Sequence, residues 1–373
     1  MSEGLEGTLQ SLHESVDASQ PNRELTDVLV EDIKHICTQE ISEKDIDLTC
    51  GLLFHKSTGL VKFLQKSAKV EELQNAKTNA LVLLSEFIQK AERKILPYAV
   101  AIKDACVTVY SLDRFAKVKN AAIPVMIKVL ELTAGAAMGN DLDIENLIKK
   151  FFGELSKGTS KLAASVKASI YNLLGVIAEV YPDLMTLYED KLVGLYVGAL
   201  KAEMTAKTKK AELPVIAGCL EGLTAFMVNF TQSIQEGSKY SYEIFKYARM
   251  AIDPNISYTR YDVPRAGLKL FARHAGQFKP FLMDEYRPMY EKLVAWSRHH
   301  NRDVLHLGVA ALEAFVREIS DVLVERAREG QKEGAVFKVE KNVNISFVVC
   351  LYTAPCVSDK PAVQQSALSG LVR

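Results

Sequence analysis

Over residues 212–278 the apolar positions recur at alternating steps of three and four. Leu213, Ile216, Leu220, Leu223, Met227 and Phe230 make one stripe, and Leu268, Phe271, Ala275 and Phe278 make another. Steps of three and four place such residues on one face of a helix. Pro214 and Pro264 stand near the starts of these segments, where a missing backbone N–H costs least. Ala217-Gly218 and Ala266-Gly267 remove side-chain bulk, which predicts close approach by a neighbouring helix. The pattern predicts stacked helices that bury one face each.

The same device runs through most of the chain. Helix starts are read at Pro97, Pro182 and Pro280, each just after an apolar-striped helix, and they lie 85 and 98 residues apart. Two helix pairs per interval give a unit of about 42–49 residues, close to the length of HEAT and armadillo repeats. KNAAIPVMIKVLEL and ELPVIAGCLEGLTAF supply intervening helices, and a further pattern after Asn301 carries Val304, Leu307, Ala311, Ala314 and Ile319. Breaks at 135–140, 158–160, 237–238 and 253–255 are short, which predicts one stack without flexible linkers. The fold class is therefore all-α, an α-solenoid of HEAT/armadillo-like repeats over residues 47–337. Residues 1–46 read as an acidic, partly helical lead-in. Residues 338–373 read as a divergent tail without amphipathic pattern.

Charge and cysteine content refine this picture. The 373-residue chain has a formal net charge of zero, yet residues 1–47 carry twelve acidic and three basic side chains. An acidic lead-in thus precedes a mildly basic body. Six cysteines form no CxxC pair. Cys106 and Cys219, in apolar helical text, are expected as buried thiols in a reducing compartment. Glutamates stand where a signal peptide would be basic, and no run of about 18 uninterrupted apolar residues predicts a membrane span.

Kinase chemistry needs a glycine-rich phosphate loop, a catalytic-loop aspartate and a metal-binding Asp-Phe-Gly, and none of these is in the sequence. GELSKGTS at 153–160 has the glycine spacing of a phosphate loop, but Thr159 occupies the lysine position. It reads as a helix end and a turn. His299, His300 and His306 lack the further ligands of a zinc site, and His274 reads as a packed histidine. No catalytic, cofactor-binding or metal-binding residue is assigned.

Basic text offers the candidate chemistry. Residues 93–128 hold seven basic side chains (Arg93, Lys94, Lys103, Arg114, Lys117, Lys119, Lys128) against Asp104 and Asp113. Arg114, Lys117 and Lys119 cluster at a turn, and Lys207, Lys209 and Lys210 form a second cluster. Both are candidates for DNA-backbone contact, which needs only positive charge and reach. On charge alone a solvated helix face is the favoured reading, and only the family resemblance given below brings the two level.

An ordered series of words carries a family resemblance: GLVKFLQKS (59–67), KILPYAVAIKDACVTVYSLDRFAKVK (94–119), FFGEL (151–155) and LLGVIAEVYP (173–182). The series resembles the amino-terminal region of the DNA-activated, end-joining branch of the phosphatidylinositol 3-kinase-related kinase family. The resemblance covers residues 47–337 and lapses in the tail. It implies a helical arm of a much longer polypeptide, so the chain is expected to be a fragment, a truncated isoform or a gene model with a misread end. It also implies a nuclear location and partnership with the Ku heterodimer and double-stranded DNA ends in non-homologous end joining. ATP and magnesium would belong to a kinase domain outside this chain. The alternative from the residues alone is a free-standing helical-repeat adaptor that binds protein and not DNA.

Overall fold

The computed structural model describes residues 2–17, 21–38, 43–136, 138–156, 162–205, 211–232, 237–256 and 260–332. The tail from 338, with Cys350 and Cys356, and the cluster Lys207, Lys209 and Lys210 lie outside the described residues. All regular elements among the described residues are helical, which gives the expected all-α class with HEAT/armadillo-like repeats. The chain gathers into two compact units, Met1–Leu187 and Tyr188–Arg373.

The first unit holds α1 (Ser2–Asp17), α2 (Arg23–Thr38), α3 (Glu43–Leu53), α4 (Leu60–Ser67), α5 (Gln74–Ala91), α6 (Ala99–Leu112), α7 (Ala116–Thr133), α8 (Ile144–Ser156), α9 (Ala164–Val180) and α10 (Pro182–Met185). Two rows result. Helix α2 packs on α5, α5 on α7 and α7 on α9, while α1 packs on α4 and α4 on α6. Helix α8 extends the second row, with the Phe151 ring 4.9 Å from that of Tyr110 on α6. Apolar periodicity explains the layering. In α7, Val118, Ala122, Ile123, Val125, Met126, Val129 and Leu130 are all buried, because the helix meets neighbours in its own row and in the other.

Side-chain hydrogen bonds tie the rows at one-repeat intervals. His13 meets Gly59 O (46 residues apart), Asn79 meets Glu31 (48), Asn120 meets Ser165 (45), Lys128 meets Ser85 O (43) and Thr133 meets Tyr181 (48). The repeat length read from the sequence is thus realised as physical contacts between equivalent positions. The proline positions need one correction. Pro97 lies inside a 3-10 turn (Glu92–Tyr98) and Pro182 and Pro280 open short helices, so each marks a corner and the long helix starts only after it. Glu92, at φ 49°, ends α5 at the first corner.

The second unit holds α11 (Glu189–Met204), α12 (Leu213–Phe226), α13 (Ser241–Ala251), α14 (Asp262–His274), α15 (Lys279–Asp284), α16 (Tyr286–Ser297) and α17 (Arg302–Lys332). Helix α12 packs on α11 and α14, and α14 on α17, with α15 and α16 also against α17. The single stripe expected for α12 understates it. Val215 to Leu220 are buried without a gap, as are Gly222 to Phe226, because small residues let neighbours close round the helix. Two buried side chains again span about a repeat: His274 Nε2 bonds Thr224 O at 2.7 Å, and Trp296 Nε1 donates to Ile252 O at 2.7 Å.

Cys37, Cys50, Cys106 and Cys219 are free and buried. Burial pushes the Cys37 and Cys106 thiols up to about 12 and that of Cys50 to about 11, so they stay protonated and act as small hydrophobes. One stretch, Glu71–Leu112, is apolar enough in part to cross a membrane by length and composition. It is two helices broken at the Glu92–Tyr98 corner, and Leu83, Leu84, Ile88, Ile102 and Val109 are buried in the packing.

Two predictions follow from this packing. A Cβ at Gly267 would stand 2.8 Å from Ile252 Cγ2 and 3.2 Å from Ala251 Cβ, whereas one at Gly198 meets nothing within 4 Å. Neither obstacle at Gly267 can swing away, so Gly267→Val should cost about 1–3 kcal/mol. Gly198→Ala in α11 should gain about 0.5–1 kcal/mol. Urea unfolding of both variants checks this, and shifts of the same sign would refute the close approach.

The second concerns His13, which is buried, donates from Nε2 to Gly59 O at 3.2 Å and has no partner for Nδ1. Burial holds its pKa below the ordinary value. Lys66, itself paired with Asp17 at 2.6 Å, also lowers it, and Asp17 opposes the shift. The unfolded chain therefore takes a proton at about pH 6.5 while the folded chain still resists it. This contribution is full above about pH 6.5 and is lost as pH falls towards the depressed folded value. Melting temperature should drop more between about pH 7 and 5 for the parent than for His13→Gln. Identical pH profiles would show that His13 titrates alike in both states.

Candidate nucleic-acid interface

The basic cluster of residues 114–119 sits where α6 ends and α7 begins. Helix α6 stops at Leu112 because Asp113 turns extended, at φ −78° and ψ 139°. Its carboxylate points inwards. One oxygen accepts the Phe115 backbone N–H at 2.8 Å, and the other takes the ammonium of Lys77 on α5. Both side chains of this pair are 1% exposed. Lys77 also donates to Val70 O at 2.8 Å, in the turn between α4 and α5. A buried charge is tolerable when it is paired and hydrogen-bonded in this way.

That arrangement orients what lies outside it. Arg114, next to Asp113, is exposed and pairs with Glu71, the residue after Val70. Its guanidinium also lies 5.0 Å from the centre of the Phe115 ring. Lys117 is exposed. Lys119 places its Nζ 4.9 Å from the Tyr110 ring centre, within cation–π reach. The structure adds a residue the sequence reading missed. Lys150, from α8, brings its Nζ to 5.8 Å from the same ring and donates to Ser111. Tyr110 is buried and its hydroxyl donates to Glu154. Burial first, and then the Glu154 carboxylate, push its pKa upwards, so it stays a neutral phenol.

Three other members of the basic text are otherwise engaged, while Arg93 is exposed. Lys94 pairs with Asp47 at 3.1 Å, Lys103 pairs with Asp104, and Lys128 donates to Ser85 O and Gln89. Charge counted along residues 93–128 therefore does not form one patch. Asp113 leaves the surface altogether, while Lys119 and Lys150 share the Tyr110 ring and Lys117 is exposed on α7. Gly153 to Ser156 complete α8, and the rest of GELSKGTS lies outside the described residues. His299 lies edge-on at 4.7 Å from Tyr261 and tilted at 5.3 Å from Trp296, and the Nε2 of His306 accepts from Arg302 at 3.4 Å. His274 is packed against Thr224 O, as expected of a core histidine.

Comparison with known proteins gives one consistent result. The family model described as DNA-PKcs, N-terminal, matches residues 47–345, so similarity to the family continues past Phe337. The DNA-dependent protein kinase catalytic subunit of Xenopus laevis is 38% identical over 325 residues, covering 83% of this chain and 8% of that protein. Its Gallus gallus counterpart is 34% identical over 376 residues, covering 97% and 9%. The chain thus spans less than a tenth of the length of the curated relatives it matches. The karyopherin Kap121p, solved with the C-terminus of the phosphatase Cdc14p, aligns with 100% of this chain and 38% of its own at 14% identity. Its TM-score is 0.44.

The buried pair generates a stability prediction. Lys77→Met leaves the Asp113 carboxylate buried without its counter-charge and should cost about 3–5 kcal/mol. Adding Asp113→Leu removes that charge and should recover part of the loss. Urea midpoints for the single and double variants decide the point. A double variant no more stable than the single would assign the cost to lost packing of the lysine stem.

Proposed function

The chain belongs to the DNA-PKcs N-terminal family, and from that premise we propose that it is a non-catalytic helical scaffold that touches the DNA backbone. It holds no kinase domain, and ATP and magnesium belong to the remainder of such polypeptides. In this reading the scaffold helps to form a cradle for double-stranded DNA ends presented by the Ku heterodimer, in non-homologous end joining in the nucleus. The observation that carries it is local. Lys119 and Lys150, from α7 and α8, converge on one Tyr110 ring, and Lys117 is exposed on α7.

Such a group suits phosphate and nothing more selective. Ammonium groups on long stems attract any phosphodiester, and reading base edges needs donors and acceptors aimed into a groove. Contact should be weak, indifferent to sequence and strongly dependent on salt. Arg114, held by Glu71, is a conditional member of the group. Lys207, Lys209 and Lys210 are retained as a second candidate on charge alone.

Each phosphate contact adds about 0.9 to the slope of log affinity against log salt. Changing Lys117, Lys119 and Lys150 together to Gln should flatten the slope for a blunt duplex by about 2.7. Circular dichroism of the variant should show unchanged helicity. The same change at Lys207, Lys209 and Lys210 provides the comparison between clusters. If the first triple variant keeps the parent's affinity and salt slope, the reading fails and the protein-binding adaptor replaces it.

A further inference from the structure

We propose that Glu71 is an internal stand-in for a DNA phosphate, holding Arg114 until a phosphodiester displaces it. The inference rests on the DNA-contact reading above and assigns a regulatory residue to that same surface. Arg114 is 66% exposed and Glu71 47% exposed, so a ligand can reach both, yet the guanidinium and carboxylate are paired. An arginine that meets a carboxylate in this way presents the donors it would offer to a phosphate.

The pair is placed by buried structure and is not a chance meeting of two long side chains. The Lys77 ammonium binds Val70 O in one turn and Asp113 in the other. Glu71 and Arg114 are the next residues along each turn, so one buried cation sets the spacing of both. Asp113 fixes its own turn further by accepting the Phe115 N–H. An exposed ion pair of this kind is weak and is screened by salt. Its weakness is what permits exchange. A duplex brings many phosphates to the same place, and neutralising each one releases counterions.

The latch has a defined cost for binding. While Arg114 answers Glu71 it adds little to the field that attracts DNA, and after exchange the freed carboxylate faces the duplex. Glu71 therefore lowers affinity through Arg114, which a general loss of one negative charge would not do. Glu72, exposed next to it and without an ion pair to Arg114, supplies the comparison.

Binding of the full chain to a short blunt duplex, measured at several salt concentrations, tests the proposal. Glu71→Gln should tighten binding roughly two- to five-fold at low salt, and steepen the salt slope by up to about 0.9 as Arg114 becomes a full contact. Adding Arg114→Gln should erase that gain. Arg114→Gln alone should weaken binding less than it does in the Glu71→Gln background. If Glu72→Gln tightens binding as much as Glu71→Gln, or if the gain survives loss of Arg114, Glu71 acts only as a negative charge and the latch is refuted. If Lys117→Gln flattens the slope while Glu71→Gln changes nothing, the latch alone fails and the DNA reading stands. If none of these variants alters binding, both fail. Melting curves matching the parent's confirm that each variant is folded.

Discussion

One buried ammonium organises the surface proposed above for contact with DNA. Lys77 reaches from α5 to the carbonyl of Val70 and the carboxylate of Asp113, joining the α4–α5 turn to the α6–α7 turn. Low dielectric strengthens that attraction and makes any unpaired partner costly. The pair is a geometric constraint more than a reservoir of stability, since apolar residues of similar shape often hold a core as well. What apolar residues would not supply is direction. Asp113 must accept both Lys77 and the Phe115 N–H, and this fixes where Arg114 emerges.

Around that constraint the stability is spread over repeats. Helices of the first unit meet neighbours along a row or across to the other, so burial accumulates from local contacts. The hydrogen bonds between equivalent positions, such as Asn120 with Ser165 and Thr133 with Tyr181, lie on top of this packing. They specify register more than they add energy, because a typical hydrogen bond contributes only about 1 kcal/mol net. In the second unit, Gly267 lets α14 close on Ile252 and Ala251, and His274 and Trp296 satisfy backbone carbonyls one repeat away.

The surface chemistry is coarse, which suits the proposed contact with a nucleic-acid backbone. The arginine on a glutamate is a weak, solvent-facing interaction, worth about 1 kcal/mol or less, whereas Lys119 and Lys150 are half-buried over a buried Tyr110 ring. In the proposed reading the exposed pair exchanges for phosphate. In that reading many such modest contacts would share the binding along a much longer polypeptide.

Much of the fold was legible in the sequence because it depends on periodicity. Steps of three and four at Leu213, Ile216 and Leu220 specify a helix wherever they occur. Prolines at 97, 182 and 280 mark corners because a missing N–H cannot continue a ladder, and their spacing gave the repeat length. The thiols of Cys106 and Cys219 were legible as buried for the same local reason. Tertiary structure alone decided the partners. Asp113 was counted as surface charge but turns inward to Lys77, 36 residues away. Lys150 joins Lys119 only because α6, α7 and α8 meet at Tyr110, and Glu71 finds Arg114 because two turns share one ammonium. Helix α12 proved buried on nearly all sides, where its stripe implied one. Periodicity fixes which face a helix buries, but which side chains then meet depends on contacts between residues that are remote in sequence.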